Sequence, residues 1–228
     1  MIFSKTVLNV MAEEEIRRVS GFIRESTFKK FTRRGAVVGL SGGVDSAVVA
    51  ELLVHALGRE RVLGLLLPEK ESNPISTEYG IKQAEELGLK TVLIDITDRL
   101  KTLKVYEERD SVIGDIFPES ESPLRFHVTL SRPLLDKESI TYPKITIEDD
   151  QGRRKSKRIS SRDWLRISAC QNMKQRVRMV ELYHHAEKNH YVVAGTIFSS
   201  STETGGWIWS PFLISIRHRS ISSRRGWA

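Results

Sequence analysis

The sequence feature that most constrains the fold is a strand pattern that runs directly into a glycine-rich turn and then into a helix pattern. Residues 36–40 form an unbroken apolar run, residues 41–43 are Ser-Gly-Gly, and apolar residues then recur at helical spacing over residues 44–57. An unbroken apolar run is typical of a strand buried on both faces, and Gly58 stands where a helix would stop. The pattern predicts a strand, a tight turn and a helix in succession.

The same alternation continues along the chain. Further segments have the periodicity of strands (residues 62–67, 91–95 and 191–194) or of helices (residues 7–31, 74–87 and 160–188). Strands and helices that alternate in this way pack as a parallel sheet covered by helices on both faces. The sequence therefore predicts an α/β fold with an open, Rossmann-like parallel sheet.

A second pattern predicts a small insertion in this fold. Residues 144–149 alternate between apolar and polar, residues 150–152 are Asp-Gln-Gly, and residues 153–159 return as a very basic segment. Turn residues between two strand-like segments are typical of a β-hairpin. We expect a hairpin there, and between residues 96 and 143 the pattern predicts only a helix near residues 101–109.

Composition excludes several classes of protein. The 228 residues include one cysteine, Cys170, and no apolar run of about 18 residues, so neither an intrachain disulfide nor a membrane span is predicted. The first ten residues lack the plan of a signal peptide, and we expect a cytoplasmic protein. The net charge is +7, and residues 153–178 carry ten Lys or Arg against one acid, Asp163. This excess predicts an anionic ligand, either a nucleotide or a nucleic acid.

The turn after the first predicted strand has the composition of a phosphate-binding loop. Glycines let backbone N–H groups approach an anion closely, and the N-terminus of the following helix adds partial positive charge. Ser41 and Ser46 add hydroxyl donors. Asp45 would repel phosphate unless a cation lay between them, so we predict that Asp45 helps to hold Mg²⁺.

Two motifs resemble a known enzyme family. Residues 41–46, Ser-Gly-Gly-Val-Asp-Ser, resemble the pyrophosphate loop of the N-type ATP pyrophosphatases. Residues 172–179, with the strand that ends at Thr196, are similar to the ammonia-dependent NAD synthetases. The resemblance implies an adenine nucleotide alpha hydrolase-like fold, a homodimer, and ATP, Mg²⁺, deamido-NAD and ammonia as ligands. It assigns deamido-NAD to Arg176, and ATP to Gly39, Leu40, Ser41, Gly42, Gly43, Val44, Asp45, Ser46, Leu67 and Thr196.

The same resemblance implies the reaction. In that family the carboxylate of deamido-NAD attacks the α-phosphorus of ATP, pyrophosphate leaves, and ammonia displaces AMP from the acyl-adenylate to give NAD. Such a ligase forms its C–N bond through positioning and charge neutralisation, so we assign no catalytic side chain. His184 and His185 are expected to be packing or surface residues.

The resemblance stops at Thr196. The family continues with a Mg²⁺-binding glutamate, but Ser201 stands at that spacing, and the family's later motifs are missing from the sequence. A one-base frame shift across residues 204–211 can encode Asp-Gly-Gly-Val-Asp-Met-Glu-Pro, which is a family-like string. We therefore expect a synthetase domain over residues 1–196, incomplete at its C-terminal end. We expect residues 197–228 to be an aberrant, poorly ordered tail that arises from truncation or frame shift, and the activity to be weak or lost.

Two alternatives stay open. A tRNA-modifying ATP pyrophosphatase would contact RNA through the basic residues 153–166, with steep salt dependence. That run contains only one aromatic residue, Trp164, however, and aromatic side chains are common in RNA-binding surfaces, so no nucleic-acid partner is expected. The second alternative is a fragment that binds ATP without catalysis.

Overall fold

The computed structural model describes residues 12–119, 125–131, 142–149, 151–196 and 213–216. The chain divides into two compact units, one of Met1–Ile96 with Met179–Ala228 and the other of Thr97–Arg178. In chain order the α-helices and strands are α1 (Ala12–Glu25), β1 (Ala36–Gly39), α2 (Val44–Leu57), β2 (Val62–Leu66), α3 (Pro74–Glu86), β3 (Lys90–Leu93), α4 (Thr97–Thr102), α5 (Val105–Ile116), β4 (Arg125–Ser131), β5 (Tyr142–Glu148), β6 (Arg154–Arg158), α6 (Ser161–Asn189), β7 (Val192–Thr196) and β8 (Leu213–Ile216). A π-helical turn (Ser26–Lys30) follows α1, and a 3-10 turn (Arg59–Arg61) precedes β2.

The first unit contains a five-stranded sheet in the order β3-β2-β1-β7-β8, in which every neighbouring pair of strands is parallel. The chain moves outward from β1 to β3 and returns on the other side of β1 at β7. The strand order therefore reverses between β1 and β7, which makes their carboxyl ends a topological switch point. The α/β fold class that the sequence predicts is confirmed.

An apolar cluster holds the first unit together. Residues 36–38 of β1 and 192–194 of β7 are buried, which explains why neither strand alternates between apolar and polar side chains. Ile23 of α1 and Leu53 of α2 are fully buried in the same cluster. Because β1 is packed within this cluster, the position of its carboxyl end is fixed, and the predicted loop begins there.

The second unit contains a three-stranded antiparallel sheet in the order β4-β5-β6. Ile145 and Ile147 of β5 are buried and belong to a cluster with Ile113 of α5 and Ile167 of α6. One face of this sheet therefore forms the core of the unit. The predicted hairpin is present as β5 and β6, which pair in antiparallel.

Three elements differ from the sequence prediction. The helix predicted near residues 101–109 is two helices, α4 and α5, because Lys104 has a left-handed φ of 56° between them. β4 lies where no strand is predicted, although Phe126, Val128 and Leu130 alternate with polar residues there. β8 lies in the predicted aberrant tail, and four residues are too few to show a period. The rest of residues 197–228 lies outside the described residues.

α6 is a helix of 29 residues whose first part belongs to the second unit and whose last part belongs to the first.

Across the described ranges, none of the helices combines the length and the apolar composition that a bilayer span requires.

Candidate functional site

The predicted phosphate loop lies at the switch point of the first unit. Residues 40–43 connect the end of β1 to the start of α2, and the neighbouring strand β7 ends at Thr196. Val38 pairs with Ala194, so the two strands end at nearly the same level. Open α/β sheets bind ligands in the crevice at such a point. The fold therefore places the loop where a ligand would bind.

Gly42 gives the loop its shape. Its φ is +72°, and a Cβ at this position would lie 2.1 Å from the backbone oxygen of Ser76 in α3. At Gly80, about one turn further along α3, a Cβ would lie 2.9 Å from Leu66 Cδ2 and 3.6 Å from the Gly42 nitrogen. Glycine at these two positions lets α3 approach the loop closely. Sequence reasoning missed this contact; the signal for it was Gly80 in a helix interior, where glycine usually has a packing reason.

The hydroxyl groups of Ser41 and Ser46 brace the loop. Ser46 Oγ donates to the Gly43 carbonyl at 2.8 Å and accepts from the Ser41 N–H at 3.3 Å. The two hydroxyl oxygens are 3.1 Å apart, and the Gly43 N–H donates to Ser41 Oγ at 3.4 Å. These bonds join the two ends of the loop and hold it in one conformation before any ligand binds.

Beyond the loop, the first turn of α2 presents unpaired backbone donors. Val44, Asp45 and Ser46 are the first three residues of the helix, so their N–H groups have no acceptor within it. In the part of the chain that the structure describes, no other group accepts a hydrogen bond from these three N–H groups. Val44 and Asp45 are exposed. A helix N-terminus in this state is suited to bind an anion such as phosphate.

Asp45 places an exposed carboxylate beside these donors. No described Lys or Arg forms an ion pair with it. The described residues also include no group of three or more His, Cys, Asp or Glu that could hold a metal ion. As an exposed carboxylate, Asp45 can supply one ligand to Mg²⁺, which commonly takes only one or two protein carboxylates and completes its shell with phosphate oxygens and water.

Two further predicted ATP-binding residues lie at the same edge of the sheet. Leu67 directly follows β2, which neighbours β1, and its side chain is buried. Thr196 is the last residue of β7, on the other side of β1. The topology therefore brings residues 39–46, Leu67 and Thr196 to three adjacent strand ends.

Arg176, the predicted deamido-NAD residue, belongs to the second unit. It is exposed on α6, whereas Lys174 is buried with its Nζ 5.0 Å from the centroid of the Tyr106 ring. Residues two apart on a helix point to different sides, so Lys174 can be buried while Arg176 is exposed. The structure thus assigns Lys174 to packing and leaves Arg176 available on the surface.

The rings of the two neighbouring histidines of α6 contact each other. The ring centroids of His184 and His185 are 5.4 Å apart in an edge-to-face arrangement. Burial, and secondarily the charge of His184, lowers the pKa of His185 from its ordinary value. His184 is exposed and His185 is half-buried.

Asn73 fixes the start of α3, the helix that contacts the loop. Its Oδ1 accepts the Ile75 N–H at 3.1 Å, and Pro74 occupies the first helical position. We expect Asn73→Ala to lower the free energy of unfolding by about 1 kcal/mol, because such caps satisfy an otherwise unpaired helix donor. Urea unfolding measures this, and Asn73→Ser, which keeps a capping oxygen, is the control. Equal stability of the alanine and serine variants would contradict the assigned cap.

Fold and loop together define a class of protein. The parallel sheet has a topological switch point, and at that point a glycine-rich turn leads into a helix and presents the N-terminal N–H groups of that helix. This arrangement is typical of nucleotide-binding proteins. A family model described as NAD synthase matches residues 15–113 and 102–207 of this sequence. The chain belongs to the NAD synthase family.

Curated relatives have similar sequences over most of this chain. The NH(3)-dependent NAD(+) synthetase of Mesorhizobium japonicum is 34% identical over 190 residues, which cover 83% of this chain and 59% of the relative. The protein of the same name from Methanocaldococcus jannaschii is 34% identical over 193 residues, which cover 85% of this chain and 54% of the relative. The chain thus spans less than two thirds of the length of these relatives.

Solved structures agree on the fold. An NH3-dependent NAD synthetase from Campylobacter jejuni matches 82% of this chain and 56% of its own, with a TM-score of 0.50 and 22% identity. A glutamine-dependent NAD+ synthetase from Acinetobacter baumannii matches 85% of this chain and 27% of its own, with a TM-score of 0.51 and 18% identity.

Proposed function

We propose that this protein is an ammonia-dependent NAD synthetase in which residues 39–46 bind the phosphates of ATP. The observation that carries the proposal is that the N–H groups of Val44, Asp45 and Ser46 have no acceptor among the described residues and lie at the switch point of a sheet of this family. Because the chain spans only part of its relatives, ATP, deamido-NAD and ammonia are proposed ligands. The alternative of a tRNA-modifying enzyme has no support from the comparisons.

The geometry of the loop suits the departure of pyrophosphate. A carboxylate is a poor acyl donor, and its attack on the α-phosphorus of ATP would give an acyl-adenylate that ammonia can open. The charge that develops on the leaving pyrophosphate would be stabilised by fixed donors that need no rearrangement. The bonds of Ser46 hold those donors in place. Mg²⁺, with Asp45 as one ligand, would supply further charge neutralisation at the phosphates.

The remaining site residues extend the proposal along the substrates. Leu67 and Thr196, at the strand ends beside the loop, are proposed to contact ATP. Arg176, exposed on α6, is proposed to contact the anionic deamido-NAD. A homodimer in the cytoplasm is proposed from the family resemblance, and light scattering after size-exclusion chromatography tests the dimer.

Calorimetric titration with ATP and Mg²⁺, followed by an assay of NAD formation from deamido-NAD and ammonia, tests the function. We expect ATP to bind. Little turnover is expected, because Ser201 stands where the family has a glutamate. A folded chain that fails to bind ATP would overturn the proposed role of the loop. ATP binding with no NAD formation under any condition would instead support a non-catalytic ATP-binding protein.

Ser46→Ala is expected to weaken ATP·Mg²⁺ binding by roughly ten-fold. The substitution removes the hydroxyl that joins the Ser41 N–H to the Gly43 carbonyl, and two such bonds contribute about 0.5–1.5 kcal/mol each. Calorimetry measures the change, and Ser46→Thr, which retains a hydroxyl, is the matched control. An alanine variant that binds ATP within about two-fold of the natural protein would show that the brace is dispensable.

A further inference from the structure

The three-stranded sheet of the second unit has one apolar and one polar face. Ile145 and Ile147 point to the core, so the residues that alternate with them on β5 lie on the opposite face. The register extends this face across all three strands. Its cross-strand rows are Arg125–Glu148–Arg154, His127–Thr146–Ser156 and Thr129–Lys144–Arg158.

This face carries more positive charge than its ion pairs neutralise. It contains four Lys or Arg and one acid, Glu148, which pairs with Arg154 at 2.6 Å. Lys144 and Arg158 stand directly opposite each other in the register. No carboxylate among the described residues forms an ion pair with either of them. Like charges opposite each other destabilise a sheet, so packing alone does not explain this pair.

Other cations of the same basic segment have structural partners. Arg153 pairs with Asp149 at 2.7 Å. Lys157, on the core side of β6, donates to the Ile116 carbonyl at 2.8 Å. These contacts neutralise or anchor their cations within the unit. Among the residues that the structure describes, no carboxylate or carbonyl partner is found for Lys144 or Arg158, in contrast to Arg153, Arg154 and Lys157.

An aromatic ring lies on the same face. Tyr142 begins β5 and shares its side with Lys144, and the Arg158 guanidinium carbon lies 4.5 Å from the centroid of the Tyr142 ring. In the neighbouring row, Thr146 Oγ1 and Ser156 Oγ are 2.8 Å apart. Thr146 is buried and Ser156 is exposed. The face thus offers a planar cation stacked on an aromatic ring for stacking, and one exposed hydroxyl for hydrogen bonding to nucleobases.

We propose that this face binds single-stranded nucleic acid. Strands lie about 4.8 Å apart and residues on one face about 7 Å apart, so the four cations are spread over three strands and several residues along each strand. That distribution fits a chain of phosphates better than it fits one compact anion. The sequence predicts no nucleic-acid partner, because the basic run carries only one aromatic residue, Trp164. In the fold, Tyr142 of the adjacent strand adds an aromatic ring beside Arg158. This binding function is separate from the proposed ATP site.

Fluorescence anisotropy with a labelled oligouridine of about 16 nucleotides, which matches the upper range of known site sizes, tests the proposal over a series of KCl concentrations. We expect Lys144→Gln with Arg158→Gln to weaken binding at least ten-fold at low salt. The slope of log affinity against log salt should fall by about 1.4, because each lost phosphate contact on a single strand removes about 0.7. Tyr142→Leu should weaken binding about five-fold through lost stacking.

The matched control is Arg61→Gln with Lys82→Gln in the first unit. Both residues are exposed, and Arg61 also lies over an aromatic ring, that of Phe28, at 5.5 Å. This variant should bind the oligonucleotide within two-fold of the natural protein. Circular dichroism checks the fold of each variant, and Arg158→Lys, which keeps the charge, provides a milder test should the double variant unfold. It should retain the salt slope but bind more weakly.

Two results would overturn the proposal. One is that the Lys144 and Arg158 substitutions leave the affinity for oligouridine unchanged, or that the control substitutions lower it by the same factor. The other is a pair of findings. Polyglutamate of equal charge displaces the labelled oligouridine as effectively as unlabelled oligouridine does, and Tyr142→Leu leaves the affinity unchanged. The latter pair of results would assign the face to an acidic protein instead.

Discussion

Gly42→Ala is expected to abolish ATP binding. The φ of +72° at this position is unfavourable for any residue with a Cβ. The added carbon would also lie 2.1 Å from the Ser76 carbonyl oxygen, a contact that only backbone movement can relieve. Movement of the loop would misplace the N–H groups that are proposed to hold the phosphates. Calorimetric titration with ATP and Mg²⁺ should show at least a hundred-fold loss of affinity.

Substitutions at two other glycines distinguish the backbone strain at Gly42 from its contact with Ser76. Gly152 has a similar φ of +73°, but a Cβ there would meet nothing within 4 Å, so Gly152→Ala should cost about 1 kcal/mol of stability through backbone strain. It should leave ATP affinity unchanged. Gly43 has an ordinary extended φ of −92°, and its nearest Cβ contact would be 3.4 Å from Ser41 Oγ. Gly43→Ala should therefore fold with near-natural stability. Retention of ATP affinity in Gly42→Ala would show that the loop does not bind phosphate.

Asp45→Ala is expected to abolish the Mg²⁺ dependence of ATP binding. The carboxylate lies beside donors that suit an anion, and without a cation it would repel phosphate. Removal of this charge should lower the affinity for ATP in the presence of Mg²⁺ by about a hundred-fold, which corresponds to about 2.7 kcal/mol. Binding of metal-free ATP should stay equal or become tighter, because the repulsion disappears. Titrations with Mg²⁺ and with EDTA measure the two affinities.

Glu51→Ala is the matched control for this prediction. Glu51 is an exposed carboxylate on the same helix, α2, but lies nearly two turns beyond its N-terminus. Its removal changes the net charge equally and should leave both ATP affinities unchanged. If Asp45→Ala kept the natural difference between ATP with Mg²⁺ and ATP with EDTA, Asp45 would not be a ligand of the cation.

Much of the phosphate loop could be predicted because its signals are local. Glycine at position 42, serine at 41 and 46 and an unbroken apolar strand before them determine a tight turn and a helix start. The close contact between Gly42 and Ser76 could not be predicted, since it joins α3 to the loop across 34 residues of sequence. The strand β8 was missed because parallel pairing with β7 stabilises it, whereas its four residues carry no period.

The sequence by itself determined the alternation of β1, β2, β3 and β7 with their helices, the hairpin of β5 and β6, and the presence of a phosphate loop after β1. All three follow from burial periodicity and from backbone preferences that act within a few residues. Only the tertiary structure decided which strand ends meet at that loop, and that Tyr142, Lys144 and Arg158 share one face of the second sheet. These relations depend on strand order and register, and register is set by the packing of one face against a core.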